Sequence, residues 1–450
     1  MTERALKKLL LVSYHFPPDA EVGGLRVQKF AKYLPLYGWE PFVLSVDERY
    51  YPRKDFERVK DVNCKVFRTK MMLNPRQTYT ALKSLISFAT RKKGNPTQGS
   101  SAVIDEGAVE LRERSVSGFK RFILSLLWLP DDRTGWILPA VIRGQVLIKK
   151  YGIETLMTTS PPHSVQIIGY LLKRITGCRW VIDFRDAWSL VLGEKRGGVN
   201  TIQRWLESKV IRHADVVITA TDFVRECYLK VYPDLPREKF VCIPNGFDLE
   251  DMILAKTRNP VGDENLTISY VGELYIERSP EVFLRAVSDL VRSGKIPLDR
   301  LKLRFIGKVR HFGRKSLQTL LSELSLSDIT EIIDQVTHMK AMEYMVNSKI
   351  LLVFSPNPFM QPMKVFEYMA CGAFIIAFTP PGALADLVKG YSKGIVVDCD
   401  DFDGAKMAIL RCYEMLAHSE GRERNLSQEM DESVLVFERK NLTQQLAKHF

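Results

Sequence analysis

The stretch from Gln361 to Asp398, QPMKVFEYMACGAFIIAFTPPGALADLVKGYSKGIVVD, alternates helical and strand-like segments. Phe374 to Ala377 and Gly394 to Val397 are short apolar runs bounded by turn residues, with stretches of helical period beside them. Working backward, the same alternation predicts strands over Thr267 to Val271, Lys302 to Ile306 and Ile350 to Phe354, with a helix over Glu281 to Val291. The first half repeats it. Strands are predicted at Lys8 to Ser13, Pro41 to Val46, Thr155 to Thr159, Trp180 to Phe184, Val216 to Thr219 and Val241 to Pro244. Helical period separates them over Val27 to Leu36, Val165 to Ile175, Thr201 to His213 and Phe223 to Val231. A β-then-α unit repeated twice over implies an α/β chain with two doubly wound, Rossmann-like parallel sheets. Such sheets bind ligands outside their strand C-terminal ends, so the two domains are expected to face each other across a cleft that one ligand bridges.

Asn245-Gly246 and the polar stretch from Lys256 to Asn265 have the composition of a linker, placing the boundary near residues 246 to 265. The predicted domains are 1–250, carrying an insertion at about 71–130, and 265–430. Residues 431–450 are expected to form a helix packing back toward the first domain.

Composition narrows the function classes. Of 450 residues, 46% are hydrophobic and 26% charged, which excludes disorder over most of the length. No run approaches the roughly 18 apolar residues of a membrane helix, and the N-terminal MTERALKKLLLVSYHFPP reads as a first strand, not a signal peptide. Seven scattered cysteines without a CxxC pair suggest neither disulfides nor a zinc knuckle and suit a reducing cytoplasm. Lys plus Arg exceed Asp plus Glu by 65 − 53 = 12, favouring anionic partners. The excess is spread out and no recognition module is visible, so nucleic acid is not expected. The basic and apolar stretches ALKSLISFATRKK (81–93) and FKRFILSLLW (119–128) point to a peripheral contact with an anionic membrane at its inner face. Helices that pack on the first sheet with their lysines in water would explain the same residues.

Chemistry concentrates in a few loops. Gly23-Gly24 ahead of a helix lets backbone approach an anion at a helix N-terminus, or makes a plain turn. Gly272 ends a strand, and Ser279-Pro280 reads as a helix start with Arg278 directly before it. A cation there can hold a diphosphate. Lys364 and Glu367, three apart, share a helical face, and can bind a phosphate and sugar hydroxyls or pair with each other. His163, in TTSPPHS, and Asp183 and Asp186, around Phe184-Arg185, follow predicted strands and are the candidate catalytic residues. An Asp/Arg pair that locks a loop is the alternative for the aspartates. His15, beside the glycine loop, is a second candidate base. The acidic run Asp398, Asp400, Asp401, Asp403 precedes a helical stretch and reads as caps and first-turn charges, so no metal site is expected.

In order and spacing, these strings resemble the bacterial family 4 glycosyltransferases of GT-B fold. The carriers are FPPDAEVGGLRVQKFAKYLPLYGWE (16–40), WLPDDRTGWILPA (128–140), TTSPPHS (158–164), WVIDFRDAW (180–188), GELYIERSPE (272–281) and KVFEYMACG (364–372). The resemblance implies a nucleotide-diphosphate sugar as donor substrate, bound by the C-terminal domain, with no further cofactor. It implies a glycan or lipid-linked acceptor on the N-terminal domain, in cell-surface polysaccharide biosynthesis, and a metal-independent, retaining transfer. It assigns Gly23 and Gly24 to the loop approaching the donor phosphates, Arg278 to the diphosphate, and Glu367 to the ribose hydroxyls. Two positions depart from the pattern: Phe359 stands where the first glutamate of a pair would fall, and Glu273 where a basic residue is common. Lys364 is then expected to supply positive charge. Two other readings use the same scaffold, a nucleotide-sugar epimerase and a non-catalytic nucleotide-sugar-binding protein.

Overall fold

A computed structural model describes residues 6–72, 129–190, 198–258, 266–417 and 432–450. Most of the predicted insertion, residues 73–128, lies outside these, and with it both basic and apolar stretches. The first sheet contains β1 (Lys7–Ser13), β2 (Trp39–Val46), β3 (Lys65–Thr69), β4 (Thr155–Ser160), β5 (Arg179–Phe184), β6 (Val216–Thr219) and β7 (Phe240–Cys242). Its spatial order is β3-β2-β1-β4-β5-β6-β7. β1 pairs in parallel with β2, Lys7 opposite Trp39, and with β4, Leu9 opposite Thr155. Leu9 to Val12 are wholly enclosed, as expected of a central parallel strand covered on both faces.

The second half contributes β8 (Leu266–Glu273), β9 (Leu301–Lys308), a short antiparallel ribbon of β10 (His311–Phe312) and β11 (Lys315–Ser316), β12 (Thr330–Ile333), β13 (Ile350–Phe354), β14 (Phe374–Phe378) and β15 (Gly394–Val397). The six-stranded sheet runs β12-β9-β8-β13-β14-β15. Side chains alternate strictly between its faces. Ile268, Tyr270, Leu352, Phe354, Ile376 and Phe378 enter one core. Val271, Leu351, Val353, Ile375 and Ala377 enter the other, with Phe366 and Met369 from the helix Lys364–Ala370. The period-two pleat buries both faces at once.

Both sheets share one topology. Strand order reverses between β1 and β4 in the first and between β8 and β13 in the second, and in open α/β sheets ligands sit beyond the strand ends at that switch point.

The chain divides into two compact units: residues 1–218, 234–239 and 449–450, and residues 219–233 and 240–448. Part of the stretch read as a linker is a helix, Leu249–Arg258, which buries Met252 and Ala255 in the second core. The C-terminal segment forms helices Glu432–Leu435 and Arg439–Ala447 that belong to the second unit, with Phe437 packed at 5.0 Å on Phe366. Only His449 and Phe450 join the first unit, where Phe450 meets Trp39 edge-on at 5.2 Å. Beyond the short β10–β11 ribbon, the two strands absent from the sequence reading, β3 and β12, are edge strands with half-buried, partly charged residues, so they lack the apolar run that marks a central strand. Among the described residues, no helix is long and apolar enough to cross a membrane.

Candidate functional site

In the first unit, β1 runs out through Tyr14, His15 and Phe16 into the loop that leads to the helix Gly23–Tyr33. That loop is tied internally. His15 Nδ1 lies 2.7 Å from Asp19 Oδ2, and the Gly24 amide donates to the Glu21 carbonyl at 3.1 Å. The Gly23 carbonyl accepts from Arg185 Nη1. The same guanidinium donates through Nε to the Ser160 carbonyl at 3.2 Å and through Nη2 to the Pro161 carbonyl. A Cβ on Gly23 would overlap this guanidinium, whereas one on Gly24 would meet only ordinary contacts at 3.5 Å. The close approach that needs glycine at position 23 is therefore to an arginine of the same unit. Burial pulls the Arg185 pKa down, against the opposing charges of Asp186 and Asp183.

Asp183, at the end of β5, is fully enclosed. Its Oδ1 accepts from Arg26 Nη2 at 2.9 Å, and its Oδ2 accepts from Arg26 Nε at 3.2 Å and Thr159 Oγ1 at 2.8 Å. Arg26 is just as buried and lies on the helix that follows the glycine loop. The pairing predicted inside the Phe-Arg-Asp string is thus made with an arginine far away in sequence. Asp186 follows Arg185 beside this cluster, and desolvation raises its pKa against the opposing charge of Arg185.

His163 stands directly before the helix Ser164–Thr176, its ring stacked 4.8 Å from Trp188 with planes 3° apart. Burial first and the Arg185 charge second push its pKa down to about 3, so the ring is neutral. Its Nδ1 is buried without a hydrogen-bond partner among the described residues. The next amide, Ser164 N, donates to Asp131 Oδ2 at 2.7 Å, which brings Asp131 onto the β4 end. Trp188, Arg26 and Arg185 all lie within the strings quoted above. Their roles depend on contacts that string order does not reveal.

In the second unit, Gly272 ends β8 with a φ of 145°, and Lys364 starts the helix after β13. Lys364 Nζ donates to the Val271 carbonyl at 2.6 Å and lies 4.0 Å from the centroid of the Tyr270 ring. A Cβ on Gly272 would come within 2.9 Å of that ammonium. Arg278, in a short 3₁₀ turn over Ile276–Arg278, holds its guanidinium 4.5 Å from the Tyr275 ring centroid, and its Nε is buried with no partner among the described residues. Desolvation first, then the Arg278 charge, carry the Lys364 pKa well below the ordinary lysine value, while Glu367 opposes the fall. The long helix begins at Glu281, as its predicted span has it, with Pro280 at the cap position read for Ser279 and the Ser279 hydroxyl accepting the Glu281 amide at 3.2 Å.

Glu367 is nearly enclosed and lies 2.8 Å from His338 Nε2, a histidine the sequence left structural. Glu273 points to an exposed pair with Lys308 at 3.2 Å, and Phe359 meets the Phe223 ring at 5.5 Å. In the acidic run, Asp398 accepts from the Asp400 amide at 3.4 Å and Asp401 from the Gly404 amide at 2.8 Å, a turn and a cap ahead of the helix Phe402–Ala417.

Lys364 and Arg278 thus stand together at the strand-order reversal of the second sheet, with the lysine pKa held down by desolvation and by the arginine charge. A doubly wound sheet of the same topology in each half defines the class of protein: an α/β scaffold of GT-B type. The chain belongs to the group 1 glycosyltransferases of family 4. Residues 23–246 match the family model described as a glycosyl transferase 4-like domain, and residues 265–415 match that of glycosyl transferases group 1.

A D-inositol 3-phosphate glycosyltransferase of Stackebrandtia nassauensis is 24% identical over 207 residues, 44% of this chain and 46% of that protein. The chain spans about half the length of the curated relatives it matches. Among solved structures, sucrose-phosphate synthase from Thermosynechococcus elongatus superposes with a TM-score of 0.62 at 18% identity, covering 98% of each chain. Anabaena Alr3699/HepE in complex with UDP and glucose gives 0.60 at 14% identity, again over 98% of each. At these identities the likeness is one of fold.

Proposed function

We propose that the protein transfers a sugar from a nucleotide-diphosphate sugar to an acceptor, with retention and without a metal. The observation that carries this reading is the pair Lys364 and Arg278 beside Gly272. Lys364 has three N–H donors and gives one to the Val271 carbonyl. The Tyr270 ring face takes the charge on one side. The remaining donor capacity, together with the Arg278 guanidinium, suits a pyrophosphate. Glu367, on the same helix as Lys364, takes the ribose hydroxyls. In the transfer, the anomeric carbon–oxygen bond to phosphate breaks, the acceptor oxygen bonds to that carbon, and the acceptor loses its proton. Negative charge grows on the departing nucleoside diphosphate, and preorganised cations lower the barrier by stabilising it. Retention rests on the family resemblance.

On the acceptor side we assign His163 as the group that accepts or relays the acceptor proton. Its place at the C-terminal end of β4, directly before the helix Ser164–Thr176, supports that assignment. Asp186 is assigned beside it, and Asp183 holds the loop through Arg26. The acceptor is proposed to be a lipid-linked glycan of cell-surface polysaccharide biosynthesis. The basic, apolar stretches 81–93 and 119–128 support this reading, and with it a peripheral position at the inner face of the membrane. The complexes of Anabaena Alr3699/HepE with UDP and UDP-glucose support a nucleoside diphosphate donor.

Calorimetric titration with nucleoside diphosphates tests the donor half. The wild-type chain is expected to bind one of them, and Lys364→Ala to weaken that binding about tenfold or more through loss of a charge-assisted contact. Unchanged affinity in Lys364→Ala refutes the assignment.

A further inference from the structure

We infer that His338 is a positioning residue for the donor, orienting Glu367 so that its carboxylate discriminates a ribose from a 2′-deoxyribose; this rests on the donor reading above. His338 is the first residue of the helix His338–Val346, reached from β12, and Thr337 caps that helix by accepting the Lys340 amide at 3.4 Å. Its backbone is therefore held at a fixed helix start. The imidazole reaches Glu367, 29 residues on, with Nε2 at 2.8 Å from Oε1.

The side chains are 23% and 8% exposed, so the pair sits where a ligand could reach one edge and the rest is enclosed. A carboxylate only accepts, so Nε2 carries the proton and donates. One imidazole N–H occupies one of about four lone-pair sites of the carboxylate. The bond anchors Oε1 of the carboxylate, the group that would meet a vicinal pair of hydroxyls. Glutamate has three rotatable side-chain bonds, and freezing them before the ligand arrives removes an ordering cost from binding.

A histidine that merely satisfies a buried acid predicts a loss of stability when removed. A positioning histidine predicts a loss of selectivity that returns with any donor at the same reach. Glutamine places an amide N–H at about the reach of Nε2, and asparagine is one bond too short. The experiment is calorimetric titration of the full chain with ADP, GDP, CDP and UDP and their 2′-deoxy counterparts, in wild type, His338→Ala, His338→Asn and His338→Gln. A thermal melt of each variant accompanies it.

Wild type is expected to prefer the ribonucleotide of its chosen base about tenfold, the worth of one good hydrogen bond to a charged group. In His338→Ala and His338→Asn the preference should fall toward one, and in His338→Gln it should return. In turnover, the donor KM should rise in the first two variants while kcat holds. A wild type that takes none of the four ribonucleotides overturns the donor reading and this inference with it. A wild type that binds without ribose preference, or variants that keep the full preference, overturn this inference alone. If His338→Ala fails to melt cooperatively, His338→Asn against His338→Gln carries the comparison.

Discussion

Replacing Arg26 by methionine should cost the first unit several kcal/mol without touching any group assigned to chemistry. The side chain is 1% exposed and its partner Asp183 is 0% exposed. Two guanidinium bonds at 2.9 and 3.2 Å share that carboxylate with the Thr159 hydroxyl at 2.8 Å. Methionine keeps much of the stem volume but leaves a buried anion with one neutral donor. Breaking a buried pair from one side typically costs about 3–5 kcal/mol, because the surviving charge stays desolvated. In a unit of this size that corresponds to a fall in melting temperature on the order of 10 °C.

The companion variant Asp183→Leu should cost a similar amount. The double variant, with no charge left to desolvate, should recover most of the loss, since apolar replacement of a buried pair is often near neutral, within about 1–4 kcal/mol. Thermal melts of the four proteins in one buffer complete the cycle. Single losses under about 1 kcal/mol, or a double variant whose loss equals the sum of the singles, would refute the argument. Asp183→Asn adds a functional arm. If it keeps its melting temperature and nucleotide affinity but abolishes transfer, Asp183 takes part in the chemistry, and the scaffold role assigned to it is wrong.

Five further outcomes follow from the geometry. His163 titrates near 3 in the fold against 6.5 for a free imidazole, so the unfolded chain binds a proton in that window that the folded site refuses. Stability should therefore fall as pH drops from about 6.5 toward 3, part of the slope should vanish in His163→Gln, and the ring carbon signals should stay fixed between about pH 5 and 8. Gly23→Ala should lower the melting temperature by displacing the Arg185 guanidinium, at a cost of about 1–3 kcal/mol. Gly24→Ala, with only ordinary contacts for its Cβ and a gain in helix propensity, should be neutral or mildly stabilising by up to about 1 kcal/mol. Gly272→Ala combines an unfavourable φ with a crowded Lys364 ammonium, so nucleoside diphosphate affinity should fall several-fold, read by calorimetry; an unchanged value would disconnect Lys364 from the ligand. Because the Lys364 pKa is lowered, donor affinity should weaken at a lower alkaline pH than for an ordinary lysine, and Lys364→Arg should flatten that profile.

The alternation of strands and helices was legible because central parallel strands are buried on both faces and read as unbroken apolar runs, as Leu9 to Val12 and Ile350 to Phe354 do. Edge strands such as Thr330–Ile333 carry no such signature. The candidate site divided along similar lines. Gly272 and Lys364 are brought together across the strand-order reversal of their own sheet, and a β-α-β reading already implies that neighbourhood. Asp183 is different. Local order set it beside Arg185, yet its carboxylate is taken by Arg26, 157 residues away. His338 was set aside because a lone histidine has no spacing to read, and its meaning comes only from the carboxylate opposite. Helical spacing did place Lys364 and Glu367 on one turn. It did not show that the lysine reaches back to Val271 while the glutamate reaches across to His338.

Donor counting separates two half-buried cations that stand at strand ends, one in each unit. Arg185 commits Nε, Nη1 and Nη2 to the carbonyls of Ser160, Gly23 and Pro161. Every nitrogen of its fork is engaged by main chain, so it fastens the loops that carry His163 and the glycine pair. Lys364 commits one N–H of three to main chain. A second cation, Arg278, stands close enough to depress its pKa. Two like charges held together oppose each other's ionisation, and an anion placed between them would relieve that cost. Arg185, with its fork fully engaged, fits a scaffold role, and the unspent donors of Lys364 fit the phosphates of the proposed donor.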